Sequence, residues 1–73
     1  MRKARDPKFL LKFGRNLKKA RNKRGVTQED LAYKSGLALS QIARIETGKV
    51  NTTASTIAII LKTLGASSNE LFE

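Results

Sequence analysis

Arg44 and Ser40 are the residues of this chain best equipped to make directional hydrogen bonds to another molecule. An arginine carries a planar fork of five N–H donors, and a serine hydroxyl both donates and accepts. Little else in the sequence is grouped for chemistry. Histidine and cysteine are absent, so an ordinary zinc site lacks its usual ligands and no disulfide can form. No nucleophile, base and orienting group occur together, and there is no glycine-rich phosphate loop. An enzyme is therefore not expected, nor a metal, a cofactor or a small-molecule ligand. The charge points elsewhere. Fifteen Lys and Arg stand against six Asp and Glu, a net +9, and eleven of the fifteen lie between positions 2 and 24, where Asp6 is the only acid. Such asymmetry favours a polyanionic partner, nucleic acid first and an anionic membrane surface second.

Arg44 needs a scaffold, and residues 28–48, QEDLAYKSGLALSQIARIETG, supply the centre of it. They read as two short helices joined by a tight turn, with Leu31, Ala32, Leu37, Ile42 and Ile45 on the buried side. Ala32 is small where the second helix must cross the first closely. Gly36 sits where the chain changes direction and tolerates positive φ at no steric cost. With Ile42 and Ile45 inward, the outward positions of the second helix are Ala38, Leu39, Ser40, Ala43, Arg44 and Thr47. Helices this short are not stable alone, because nucleation is costly, so the flanks must hold them.

The flanks read as three more helices. Asp6 followed by Pro7 is a helix start, a capping carboxylate and a proline tolerated in the first turn. Phe9, Leu10, Phe13, Leu17 and Ala20 then recur at helical spacing, with Lys8, Lys12, Arg15, Lys19 and Lys23 opposite. Arg21 falls at the margin of the apolar stripe, a place for a partly buried pair, and Gly25 ends the helix. Gly14 inside it costs about 1 kcal/mol relative to Ala; it marks either a close approach by another element or a tolerated weak spot. Thr27 caps the next helix, with Asp30 placed for a return bond. Thr53 caps a fourth helix ending at Leu64 before Gly65, its core face formed by Ala54, Ile57, Ala58, Ile60, Leu61 and Leu64, with Ile59 pointing away. Ser67 and Glu70 form the pattern of a capping box for a terminal helix carrying Leu71 and Phe72. Residues 1–5 read as a basic arm and residues 6–73 as one domain. The start MRKARDPK has no apolar segment of a secretory signal, and the longest apolar run, positions 57–61, is far short of the roughly 20 residues that span a bilayer. The expected location is cytoplasmic.

The run TQEDLAYKSGLALSQIARIETGK resembles the lambda repressor-like, Cro/Xre-type DNA-binding domains, a family that includes restriction-modification controller proteins. The resemblance extends over residues 13–72, and its motifs are specific as a set: T-Q-x-x-L-A, Gly36, then I-x-x-I-E-x-G. It implies an all-α, compact five-helix domain with residues 28–48 as the helix-turn-helix. It implies base contacts by Ala38, Leu39, Ser40 and Arg44, with this helix in the major groove. Relatives usually carry polar residues at the positions of Ala38, Leu39 and Ser40, and here this sequence departs. Ala38 is a poor N-cap and cannot hydrogen-bond a base, so Ala38 and Leu39 are left with thymine methyl groups. Arg44 is the strongest candidate base reader, a phosphate contact being its alternative. Thr27, Gln28, Lys49 and Asn51 are implied phosphate contacts; for Gln28 this reading is preferred to an ordinary exposed glutamine, whereas Lys49 reads equally as a solvated surface charge. Glu46 is implied to pair with Arg21, in agreement with the wheel position of Arg21.

The function expected is a sequence-specific, double-stranded DNA-binding transcriptional regulator, a repressor acting as a homodimer on a palindromic operator. Related repressors and controllers dimerise through the terminal region, which makes Ile59, Leu71 and Phe72 candidate interface residues; Leu71 and Phe72 could instead close the monomer core. A dimer would set two reading helices about 34 Å apart. Lysines and arginines of the arm and first helix would add salt-dependent attraction. Two other classes stand beside this one. A basic amphipathic first helix suits a membrane surface but leaves residues 28–48 unexplained. A protein-interaction module, an antitoxin or bridging coactivator, would use exposed Leu39 against protein.

Overall fold

A computed structural model describes residues 6–73; the basic segment at 1–5 lies outside the described residues. Five helices follow in order: α1 (Pro7–Lys23), α2 (Gln28–Ser35), α3 (Leu39–Glu46), α4 (Ala54–Leu64) and α5 (Ser68–Phe72), with no strand among the described residues. The all-α, five-helix expectation holds.

Local chemistry sets most of the boundaries. The Asp6 carboxylate accepts from the amides of Lys8 at 3.1 Å and Phe9 at 3.4 Å, with Pro7 opening α1. Thr27 and Asp30 form a reciprocal capping box at α2: Thr27 Oγ1 accepts from the Asp30 amide at 3.0 Å, and Asp30 Oδ2 accepts from the Thr27 amide at 3.1 Å. The Thr27 amide first, and the Thr27 hydroxyl after it, favour the ionised Asp30 carboxylate and hold its pKa below the ordinary value. Gly36 ends α2 at φ +78°, donating its amide to Ala32 O at 3.0 Å, and so turns the chain toward α3 without the strain a Cβ would bring.

Side chains from every helix meet in one core: Phe13, Leu17 and Ala20 of α1, Leu31 of α2, Ile42 and Ile45 of α3, Ile60 and Leu64 of α4, and Leu71 of α5. Around it α1 packs on α3 and α5, while α2 packs on α3 and α4. Gly14 is where α1 meets the end of α3. A Cβ there would lie 2.5 Å from Ile45 O and 2.6 Å from Glu46 O, backbone atoms that cannot step aside. Close approach, rather than a tolerated weak spot, accounts for this glycine. No helix among the described residues is long and apolar enough to cross a membrane.

Three expectations are corrected. The apolar face of α4 is narrower than its pattern suggests: Ile60 and Leu64 are buried with Ile57 and Leu61 against the core, whereas Ala54 and Ala58 are exposed. Their single methyl groups lie at the margin of the stripe, too short to reach across it. Leu71 is 1% exposed and belongs to the monomer core, which removes it from any interface between copies. The box between Ser67 and Glu70 does not form, and Ser67 makes no side-chain cap. Instead Arg24 grips the Glu70 carboxylate with two N–H groups, at 2.7 and 2.9 Å, while Nη1 also donates to Ala20 O at 2.9 Å. A forked, charge-assisted pair is stronger than a bond from a neutral amide, and the Ser67 amide is the least of the influences on the Glu70 carboxylate. The terminal helix is further held by Asn16, whose Nδ2 donates to Leu71 O at 2.9 Å, and by Phe72, whose ring lies 6.0 Å from that of Phe9 and 5.3 Å from that of Phe13.

Candidate nucleic-acid interface

The buried half of α3 determines where its other half points. Ile42 and Ile45 are sunk in the core, and Glu46 is buried beside them. A buried carboxylate requires partners, and Glu46 has three donors. Arg21 Nε reaches Oε2 at 2.7 Å, Arg21 Nη2 reaches Oε1 at 3.0 Å, and Gln28 Nε2 reaches Oε1 at 3.0 Å. Arg21 Nη1 in turn donates to Val26 O at 2.8 Å. The bond to Glu46 is the main reason the Arg21 guanidinium is held more firmly protonated than usual, against the opposing cost of burial. One cluster thus ties together α1, the turn before α2, the start of α2 and the end of α3. The expected pairing of Arg21 with Glu46 is present.

With that face locked, Ala38, Leu39, Ser40, Arg44 and Thr47 are left exposed on one side of α3, and Ala43 is half-buried between them. Ala38 stands at the N-cap and makes no side-chain bond to the helix amides, as its methyl group dictates. Thr47 folds its hydroxyl back onto Ala43 O at 3.1 Å and Arg44 O at 3.2 Å. Ser40 and Arg44 border a concavity of about 300 Å³ that is completed by Gln41, Val50 and Asn51. Exposed donors around an open hollow on a helix edge are suited to base edges and phosphates.

Among the residues expected at phosphates, Thr27 is exposed with its hydroxyl used in the α2 cap. Gln28 is half-buried and spends one amide N–H on Glu46, so it is neither an ordinary surface glutamine nor a free one. Asn51 is exposed, its Oδ1 accepting from the Thr52 amide at 3.0 Å, and borders the same hollow as Arg44. Lys49 is exposed, and its amide donates to Arg44 O at 2.9 Å, which draws the loop back over the end of α3. Ile59 and Phe72 are partly exposed on α4 and α5, away from this edge in the chain. Sequence reading missed Gln41. It lies between outward Ser40 and inward Ile42, and only the path of the loop through Val50 and Asn51 makes its amide part of the wall.

A helix-turn-helix family model matches residues 17–71, and the chain belongs to this family in its lambda repressor-like, Cro/Xre-type form. The solved structures it resembles include two restriction-modification controller proteins. With C.AhdI from Aeromonas hydrophila it shares 36% identity at a TM-score of 0.82, covering 86% of this chain and 96% of that one. With C.Esp1396I, solved as a tetramer on its natural 35-base-pair operator, it shares 41% identity at a TM-score of 0.79, covering 88% of this chain and 84% of that one. The clp gene regulator ClgR of C. glutamicum aligns at 27% identity and a TM-score of 0.85, over 96% of this chain and 90% of that one. A search of curated proteins gave no match.

Proposed function

We propose that this DNA-binding transcription regulator acts as a controller-type repressor, reading a palindromic operator as a homodimer with α3 in the major groove. One observation carries the reading. The core-facing side of α3 is immobilised by the Glu46 cluster, and what it leaves outward is Ser40 and Arg44 beside an open hollow. The similarity to a controller protein whose structure is a tetramer on operator DNA supports the same assignment.

In this reading Arg44 makes a forked contact to a guanine, the commonest specific contact to a base. Ala38 and Leu39 meet thymine methyl groups, and Ser40 adds a polar contact. Thr27, Gln28, Lys49 and Asn51 approach phosphates on either side, the first two from the amide-rich start of α2. Phe72 and Ile59 supply the surface between copies, Leu71 having been taken by the core. Selection of bound sequences from a random DNA pool tests this directly. The wild-type chain is expected to return an inverted repeat, and Arg44→Ala to lose preference at one base pair per half-site at a cost of about 1–3 kcal/mol. An unchanged preference in that variant would remove Arg44 as a reader. Sedimentation at micromolar concentration, free and with DNA, tests the dimer, which a strict monomer in both would exclude. A second reading, as a protein-interaction module, rests on Leu39, which is 42% exposed at the tip of α3; a stable copurifying partner masking α3 would favour it.

A further inference from the structure

We infer that α1 contributes a second DNA-contacting strip, in which Arg15 and Lys18, with Lys8 and Asn22 beside them, grip phosphates flanking the base pairs that α3 faces. The inference rests on the DNA-binding reading above and extends it to a part of the chain that reading does not use.

Two contacts show which edge of α1 lies against the reading surface. Gly14 abuts the last carbonyls of α3, Ile45 O and Glu46 O. A Cβ built on Gly48, the second residue beyond α3, would come within 2.9 Å of Leu11 Cδ2 and 3.1 Å of the Leu11 backbone. The exposed edge of α3 therefore runs through Thr47 and Gly48 directly onto Leu11 of α1. Helical geometry then decides which cations share that edge. At about 100° per residue, Lys18, Asn22 and Arg15 stand within about 40° of Leu11 around the helix and Lys8 within about 60°. Lys12 and Lys23 are turned about 100° or more away, toward the side of α1 that meets α5. Lys8, Arg15, Lys18 and Asn22 are all exposed.

The strip carries no carboxylate. Of the acids near α1, Asp6 caps the helix start, Glu46 is paired with Arg21 and accepts from Gln28 on the inner side, and Glu73 stands near Lys19 and Lys23 on the α5 side. Glu70 is held by Arg24 on the α5 side. The row is thus a line of positive charge rising roughly 15 Å along α1 from Lys8 to Lys18, with the neutral Asn22 amide about one turn further on. Phosphates follow one another along each strand, so such a line next to a groove-reading helix fits the backbone outside the contacted bases. Lys8, Leu11 and Arg15 precede residues 17–71, the stretch matched by the family model.

The test compares two double variants of equal charge, Arg15→Ala/Lys18→Ala and Lys12→Ala/Lys23→Ala, in the full chain. All four side chains are exposed, and alanine favours the helix. Binding is measured against salt on a duplex bearing the selected sequence, with long and with trimmed flanks. Loss of two phosphate contacts lowers the salt slope by about 1.8, so the fall in affinity between about 50 and 200 mM salt should be about tenfold smaller for Arg15→Ala/Lys18→Ala than for wild type. Trimming the flanks should weaken wild type and the Lys12/Lys23 variant but leave the Arg15/Lys18 variant unchanged. Equal slopes for the two doubles, or equal sensitivity to trimming, would overturn the strip. If selection returns no sequence, the assignment of α3 as reader fails, while the same slopes on a mixed-sequence duplex still decide the strip.

Discussion

Two arginine–glutamate pairs hold α1 to the rest of the molecule, and they differ in everything except geometry. Arg21 with Glu46 and Arg24 with Glu70 are both forked, and the shortest N–O distance is 2.7 Å in each. The side chains of the first pair are 8% and 3% exposed, those of the second 23% and 28%. Water screens the second and supplies substitute partners for either member; the first has no such alternative. The inner pair orients α3 by the same atoms that keep it buried, whereas the outer pair fastens a terminal helix whose apolar residues already pack. Similar bond lengths therefore say little about consequence, and the surroundings of the pair say most.

The largest expected effect comes from Glu46→Ala. It leaves the Arg21 guanidinium buried without a counter-charge and the Gln28 amide without an acceptor, a loss of about 3 kcal/mol. For a domain of this size that corresponds to a fall in melting temperature of well over 10 °C, about 4–8 °C per kcal/mol. A melting curve matching wild type would show that the inner pair is no more demanding than the outer one. Gly14→Ala comes next, since it wedges the seam beside that pair. Helix propensity alone favours alanine by about 1 kcal/mol, but the collision with Ile45 O and Glu46 O should reverse the sign, to a net loss of about 1–3 kcal/mol in denaturant unfolding. A stabilised variant would mean that α1 and α3 can separate freely.

The smallest effect belongs to Glu70, and it is read through pH. The bond from Arg24 is the main cause that holds the Glu70 carboxyl below its ordinary pKa of 4.5 in the folded chain. On acidification the unfolded chain therefore takes up this proton first, and the stabilisation is present above the ordinary value and lost as pH falls through the folded one. Glu70→Gln should flatten the acid side of a melting-temperature series, leaving the contribution of Asp30, whose pKa is also lowered. An identical acid limb in variant and wild type would show that the outer pair contributes nothing measurable.

What could be read from the sequence divides along the same line. Helix ends at Asp6, Thr27, Gly36, Thr53 and Gly65 are set by neighbouring residues and were legible from their types. Arg21 was legible because its wheel position betrayed a charge inside an apolar stripe. The outward row of α3 followed from the inward placement of Ile42 and Ile45. Glu70 was not legible: its choice between a local amide and a guanidinium 46 residues away depends on how α1 and α5 meet. Nor was the Gln28 amide, whose acceptor lies 18 residues on, or the burial of Leu71, which required the core around Leu17 and Ile60 to be assembled first. Local rules fixed the ends of elements, and competition between distant partners decided the rest.

The bare start of α3 has its own consequence. The amides of its first turn receive no side-chain acceptor from Ala38, and that of Gln41 turns back to Ala38 O at 3.1 Å. Ala38→Ser would give one of these amides a hydroxyl acceptor and raise the stability of the isolated domain by about 1 kcal/mol, so that in the native chain this one methyl group leaves the start of α3 to be held by packing.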